Sequence, residues 1–271
     1  MCSEFYIQKH GSQHKASPFI LPLMSMKSGT NVNSAKGFWK SLPAYFPVWS
    51  CPIHLCIVFI NLHTHHPTLS PGMLEIESVY FGQDKTPTAA QRSVGLHPWY
   101  LAGIDFEIAQ NWLREQAALP NTLAIGEAGL DKVCGTPWDL QVLAFQRCVE
   151  VSETFEKPLI IHCVRAFSEI IALKKAWKPA QSWIFHGFDK NLPTAAMLLR
   201  AGCCLSFGAA LFRGNSHAAE SLRAAPVDRF FLETDDSGVT IEEVYVRAAF
   251  LLGVTIKELE GLVEGNWNSV F

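Results

Sequence analysis

Apolar and polar positions fall into two regimes along the chain. Residues 1 to about 50 mix Lys, Ser, His, Gly and Pro with scattered aromatics and hold neither a two-residue nor a 3.6-residue period. From residue 53 onward, short apolar runs alternate with longer stretches of helical periodicity. The runs predict strands over 53–61, 74–81, 92–96, 122–125, 159–161, 183–185, 204–207 and 230–233. The stretches between them predict helices over 105–118, 138–156, 166–177, 192–201, 216–224, 241–252 and 256–264. In the helix opening at Trp138, residues Leu140, Leu143, Ala144, Val151 and Phe155 lie on or near one stripe, and Lys157-Pro158 stops it. Thr255, with Glu258 three residues on, predicts a capping box for the last helix.

Eight strands alternating with helices predict an α/β fold, a TIM-like (β/α)8 barrel. The first two connections, residues 62–73 and 82–91, are too short for a crossover helix with its loops. The barrel is therefore expected to be irregular, with its first two βα units shortened. Domain organisation follows the change of pattern: an extension over 1–52, then the barrel over 53–271.

Composition narrows the function classes. At 271 residues, 49% hydrophobic and 17% charged, the chain has the make-up of a globular domain with a full core. A net charge of −3 supplies no broad basic field, which argues against a stable nucleic-acid coat protein. It leaves room for an enzyme whose site draws phosphate through bound cations. The eight cysteines form no CxxC pair, and several sit inside apolar runs, as buried free thiols do. No apolar run approaches the roughly 20 residues needed to span a bilayer. A reducing, cytoplasmic location without membrane attachment is expected.

The chemistry collects at the ends of the predicted strands. The first run, Ile57-Val-Phe-Ile-Asn-Leu-His63-Thr-His65, ends in two histidines two positions apart, which in a strand share a face. Later runs end at His97, at Glu127 with Asp131 beyond it, at His162, at His186 and at Asp235-Asp236. In a parallel barrel these ends meet on the face where barrel enzymes keep their sites. Imidazole and carboxylate suit Zn, Mn and related divalent ions, and a carboxylate can bridge two of them.

The segments Asn61-Leu-His-Thr-His65, Gly95-Leu-His-Pro98, Gly126-Glu-Ala-Gly-Leu-Asp131, Pro158-Leu-Ile-Ile-His162, His186-Gly-Phe188 and Leu232-Glu-Thr-Asp235 together resemble the TatD family of metal-dependent hydrolases, from about Phe59 to the C-terminus. The resemblance implies one or two divalent ions (Mg, Mn or Zn) and a water activated between them, acting on DNA or another phosphodiester. It implies that His63 and His65 bind the first ion, that Glu127 bridges, and that His162 and His186 bind the second. Asp235 would complete the first site and accept the proton of the attacking water, which makes Asp235 and Glu127 the catalytic carboxylates. His97, and with it Asp131 and Arg165, would contact substrate. The chain departs from the family at Asn61, where an Asp is usual, at Val164, where an Arg is often found, and after Asn266, where the family's arginine is missing. Two other readings stay open: a phosphatase of the polymerase-and-histidinol-phosphatase barrel type, which also begins with HxH, and a metal-binding barrel without catalysis.

Overall fold

The computed structural model describes residues 59–83 and 86–271. The expected extension over 1–52, the start of the first strand, and His10, His14 and His54 lie outside the described residues. Among them are eight strands: β1 (Phe59–Thr64), β2 (Met73–Tyr80), β3 (Gln91–Gly95), β4 (Thr122–Asp131), β5 (Leu159–Val164), β6 (Trp183–Phe185), β7 (Cys204–Phe207) and β8 (Phe230–Leu232). They pair in chain order, each parallel to the next. Among the described residues, seven α-helices cover the sheet: α1 (Phe106–Ala117), α2 (Trp138–Thr154), α3 (Phe167–Trp177), α4 (Leu192–Arg200), α5 (His217–Ala224), α6 (Ile241–Leu252) and α7 (Ile256–Val270). The β1–β2 and β2–β3 connections carry no helix among the described residues, so the expected shortening of the first two units is present. Among the described residues, no helix is long and apolar enough to cross a membrane.

The barrel closes between β1 and the chain just beyond β8. Thr64 and Asp235 form a parallel bridge, with Asp235 N–H donating to the His63 carbonyl (3.0 Å) and His65 N–H to the Asp235 carbonyl (3.1 Å). The Asn61 side chain spans the same seam. Its Oδ1 accepts from Thr234 N–H at 3.0 Å, and its Nδ2 donates to Thr234 Oγ1 at 2.9 Å and Glu75 Oε1 at 3.3 Å. Glu75 is the register partner of Asn61 on β2. An aspartate at 61 would face that carboxylate with like charge and could not donate to it. The seam is further held from α6, where Tyr245 Oη accepts from Ile60 N–H and donates to Ile60 carbonyl.

Several elements differ from expectation, in length or in the face they bury. β4 runs on past Ile125 to Asp131, because Ala128 to Asp131 continue to pair with Ile161 to Val164. The glycines that look like a strand terminus allow close approach of backbones instead. A Cβ at Gly95 would strike the Glu127 carbonyl, and one at Gly126 (φ +140°) would strike that of Ile160. In α2 the stripe is rotated from the expected one: Leu143 is exposed, and Gln141, Ala144, Phe145, Cys148 and Val151 face inward. Gln141 is buried because its side chain finishes β4, accepting from Asp131 N–H at 2.8 Å and donating to the Asp131 and Thr136 carbonyls. α7 continues beyond Glu264 to Val270, since Asn266 donates to the carbonyls of Val227 and Phe230 and anchors the last turns below β8. The predicted capping box at Thr255 and Glu258 is formed.

Trp183, Phe185, Phe207, Phe230 and Phe231 are fully buried, and burying a side chain such as Phe stabilises by about 1.5–3 kcal/mol relative to exposure. Cys148, Cys203 and Cys204 are free and buried, and burial raises their thiols.

Candidate metal centre

The C-terminal strand ends converge on Glu127, whose carboxylate is almost fully buried. Its two oxygens face different groups. Oε2 lies 3.4 Å from His63 Nε2 and 3.5 Å from His65 Nε2. Asp235 Oδ1 completes this side, 3.5 Å from His63 Nε2 and 3.6 Å from His65 Nε2. Oε1 instead meets His162 Nδ1 at 2.8 Å, His186 Nε2 at 2.8 Å and His97 Nε2 at 3.0 Å.

The first group fits an ion. Two ligands bound at about 2.1 Å with a tetrahedral angle stand about 3.4 Å apart, which matches the separations among His63, His65, Glu127 and Asp235. These are long for hydrogen bonds. His63 is fully buried, yet neither of its ring nitrogens makes a hydrogen bond, and a buried polar group without a partner is costly. The donor atoms of His63, His65 and Asp235 lie within 4.8 Å of one another, as do those of His63, Glu127 and His186, and those of His97, Glu127 and His162. His162 and His186, expected to share the second ion, each meet Glu127 but fall in different groups.

His97 comes closer to Glu127 than a substrate contact requires. Its Nδ1 accepts from Trp99 N–H at 3.1 Å, so the neutral ring carries its proton on Nε2 and donates it to Glu127. Burial lowers its pKa against the pull of Glu127, which favours that neutral form. A ring fixed as a donor at Nε2 has no lone pair free for a metal there.

Burial would also discharge the other groups, but mutual charge prevails. Burial lowers the His63 pKa, yet the Asp235 and Glu127 carboxylates raise it overall to about 10. Burial raises Glu127, but the charge of His186 and contacts with His162, His186 and His63 hold it well below the usual range. Asp235 is held low against burial by His63 and His186. Charge coupling of this strength among buried imidazoles and carboxylates marks a candidate functional site.

Two further carboxylates stand behind the histidines. Asp131 accepts from Trp99 Nε1 at 2.6 Å and Val133 N–H at 2.7 Å, and lies 3.2 Å from His162 Nε2. It is 1% exposed, so the expected substrate contact finds it turned inward onto His162. Glu233 accepts from Gly187 N–H and faces His186 Nδ1 at 3.8 Å. A carboxylate hydrogen-bonded to an imidazole, as Asp131 is to His162, fixes the ring's orientation. Arg165 is exposed, has left-handed backbone (φ 55°), and lies outside the residues lining the cleft.

The cleft over the cluster has a volume of about 500 Å³. At its mouth His66 and Asp236 pair at 2.6 Å. Strand alternation would turn Asp236 and His66, next to Asp235 and His65, away from the site. β8 ends at Leu232, however, and Asp235 adopts φ 54°, so the period-two rule no longer governs residues 235 and 236. The aromatic wall of Tyr80, Trp99 and Tyr100 was also missed. Its one signal in sequence is the Trp-Tyr pair following His97-Pro98.

Known proteins resemble this chain in sequence and in fold. The family model described as TatD related DNase matches residues 73–260. An uncharacterized metal-dependent hydrolase of Buchnera aphidicola is 31% identical over 146 residues, covering 53% of this chain and 54% of the relative. A 3'-5' ssDNA/RNA exonuclease TatD of Rahnella is 31% identical over 172 residues, covering 55% of this chain and 65% of the relative. The chain thus spans about half to two thirds of these curated relatives. Among solved structures, YJJV, a TatD homolog from Escherichia coli K12, aligns with a TM-score of 0.61 at 19% identity over 67% of this chain and 76% of that one, which speaks for the fold.

Proposed function

The chain belongs to the TatD related DNase family, and from that premise we propose that it is a divalent-metal-dependent phosphodiesterase that hydrolyses single-stranded nucleic acid. The observation that carries this reading is the division of Glu127, with one carboxylate oxygen facing His63 and His65 and the other facing His162 and His186. His63, His65 and Asp235 would hold one ion and His162 and His186 a second, with Glu127 between them. When bound, such ions supply the Lewis acidity that makes a water nucleophilic near neutral pH and offsets charge on phosphoryl oxygens.

The chain's own residues divide the remaining work. Asp235 is 42% exposed toward the cleft, whereas Glu127 is 4% exposed. Asp235, kept ionised by His63 and His186, is thereby the carboxylate that can take the proton of an attacking water. Asp131, 3.2 Å from His162 Nε2, keeps that ring from rotating out of register. The exonuclease activity named for the Rahnella relative supports a strand end as substrate.

The test is hydrolysis of a single-stranded DNA oligomer with added Mg or Mn, before and after Glu127→Ala. Metal-dependent cleavage that the substitution removes supports the assignment; cleavage that survives it overturns the site.

A further inference from the structure

One wall of the cleft carries no ligand candidate. It is built from Tyr80, at the end of β2, and from Trp99 and Tyr100, in the short turn after β3. The Tyr80 and Tyr100 rings stack at 4.3 Å with 9° between planes. Tyr100 remains 43% exposed and Trp99 54%. Large aromatic faces left open in a cleft are surfaces for a ligand rather than core.

The Trp99 ring is anchored by its indole N–H, and the Tyr100 ring is backed by Tyr80. Trp99 is pinned twice, by its backbone N–H on His97 Nδ1 and by its indole N–H on Asp131, while Tyr100 N–H donates to the His97 carbonyl. Their immobilisation precedes binding, so little side-chain entropy is lost when a flat ligand settles on them. They also adjoin the metal cluster directly, since the Trp99 and His162 rings are 5.6 Å apart and His97 and Tyr100 5.3 Å.

The charge pattern says what kind of grip is needed. No Lys or Arg is among the described residues lining this cleft, and two aspartates, Asp235 and Asp236, stand in it. The chain as a whole carries −3. A polyanionic strand therefore gains little from basic side chains here, and affinity beyond the ions must come from its uncharged parts. Unpaired bases present such parts, and their π faces stack on aromatic side chains with little regard to sequence.

We propose that Trp99 and Tyr100 form a stacking platform for unpaired nucleobases at the end of a single strand, holding the adjoining phosphodiester over Glu127. The proposal deepens the phosphodiesterase function above and rests on it for the nature of the substrate. It implies that a strand lacking bases near its end is a poor substrate, and that duplex ends, whose bases are already stacked, are poor as well.

A binding readout separates this from hydrolysis. A DNA oligomer with 2-aminopurine at its 3' end is mixed with the Mg-supplied full chain in a stopped-flow fluorimeter. Stacking quenches the base on binding, and release of a free nucleotide restores its fluorescence. The wild-type protein is expected to quench, Tyr100→Phe to quench as well, and Tyr100→Leu to weaken the apparent affinity about ten-fold or more. In parallel, kcat/KM is compared for an oligomer and for its analogue without bases in the last two residues. The preference for the base-bearing strand should shrink about ten-fold in Tyr100→Leu. Absence of quenching, or equal weakening by Phe and Leu, overturns the platform. Quenching without later recovery leaves the platform standing and refutes the hydrolytic function instead.

Discussion

His63 and Asp235 meet twice: the Asp235 amide donates to the His63 carbonyl at 3.0 Å, and the Asp235 carboxylate stands 3.5 Å from His63 Nε2. The same pair thus closes the barrel through its backbone and forms one side of the proposed ion site through its side chains. Closure sets the site's geometry, because the two strands that are furthest apart in sequence are brought into register by the residues whose side chains must converge.

Because the closing contact is made by backbone atoms, Asp235→Asn should leave it intact while removing the proton acceptor. A loss on the order of 10²–10⁴-fold in kcat is expected, with little change in thermal unfolding of the metal-supplied protein. A comparable fall in melting temperature would instead place Asp235 among the structural residues.

Metal uptake should release protons. With its pKa raised to about 10, His63 is protonated at pH 7 in the metal-free protein. A metal ion requires the neutral ring, so it displaces that proton, and apparent affinity tightens as pH rises toward 10. Titration calorimetry in buffers of different ionisation enthalpy measures the number released, expected to approach one. The linkage to folding has the opposite sense. A raised folded-state pKa stabilises fully below about 6.5, and that stabilisation is lost as pH climbs through 10, so the metal-free protein should weaken over this window.

Asp131 touches His162 and Trp99 at once. Asp131→Asn keeps the shape and removes the charge that orients the imidazole. Metal affinity or turnover should fall about 10–100-fold, the range for carboxylates behind ligand histidines. Isothermal titration with Mn checks it, and unaltered affinity would mean that His162 is held by packing alone.

Gly95 allows β3 to approach the backbone of Glu127. Gly95→Ala introduces a methyl that must displace backbone rather than a side-chain tip, at a cost of about 1–3 kcal/mol. Chemical denaturation reads the destabilisation. Activity should drop further than stability does, since the atoms displaced belong to the carboxylate residue at the centre of the site.

Much of this was legible in the sequence, for identifiable reasons. Trp183-Ile-Phe185 and Cys204-Leu-Ser-Phe207 are apolar runs bounded by turn residues, and they occupy the strands expected of them. Glu127 was visible as a candidate, but the strand through it was not, since Gly126 and Gly129 read as chain breakers until β5 is laid alongside. Gln141 was missed because a polar residue on a helix normally faces water, and only the end of β4 gives it partners. Asn61 looked like a lost acid, and its meaning depends on Glu75, fourteen residues away and directly across the sheet.

The sequence by itself determined the alternation of strand and helix, the shortened first two connections, and the arrival of histidines and carboxylates at successive strand ends. These follow from local periodicity and from residue chemistry, which need no knowledge of distant partners. Only the tertiary structure decided that Glu127 divides its two oxygens between separate histidine groups, that His97 donates to it, that Asp131 turns inward, and that Tyr80 and Tyr100 stack beside the cleft. Each of these depends on side-chain atoms from different strands coming within a few ångströms, and that is fixed by barrel closure and register, which no single stretch of the chain encodes.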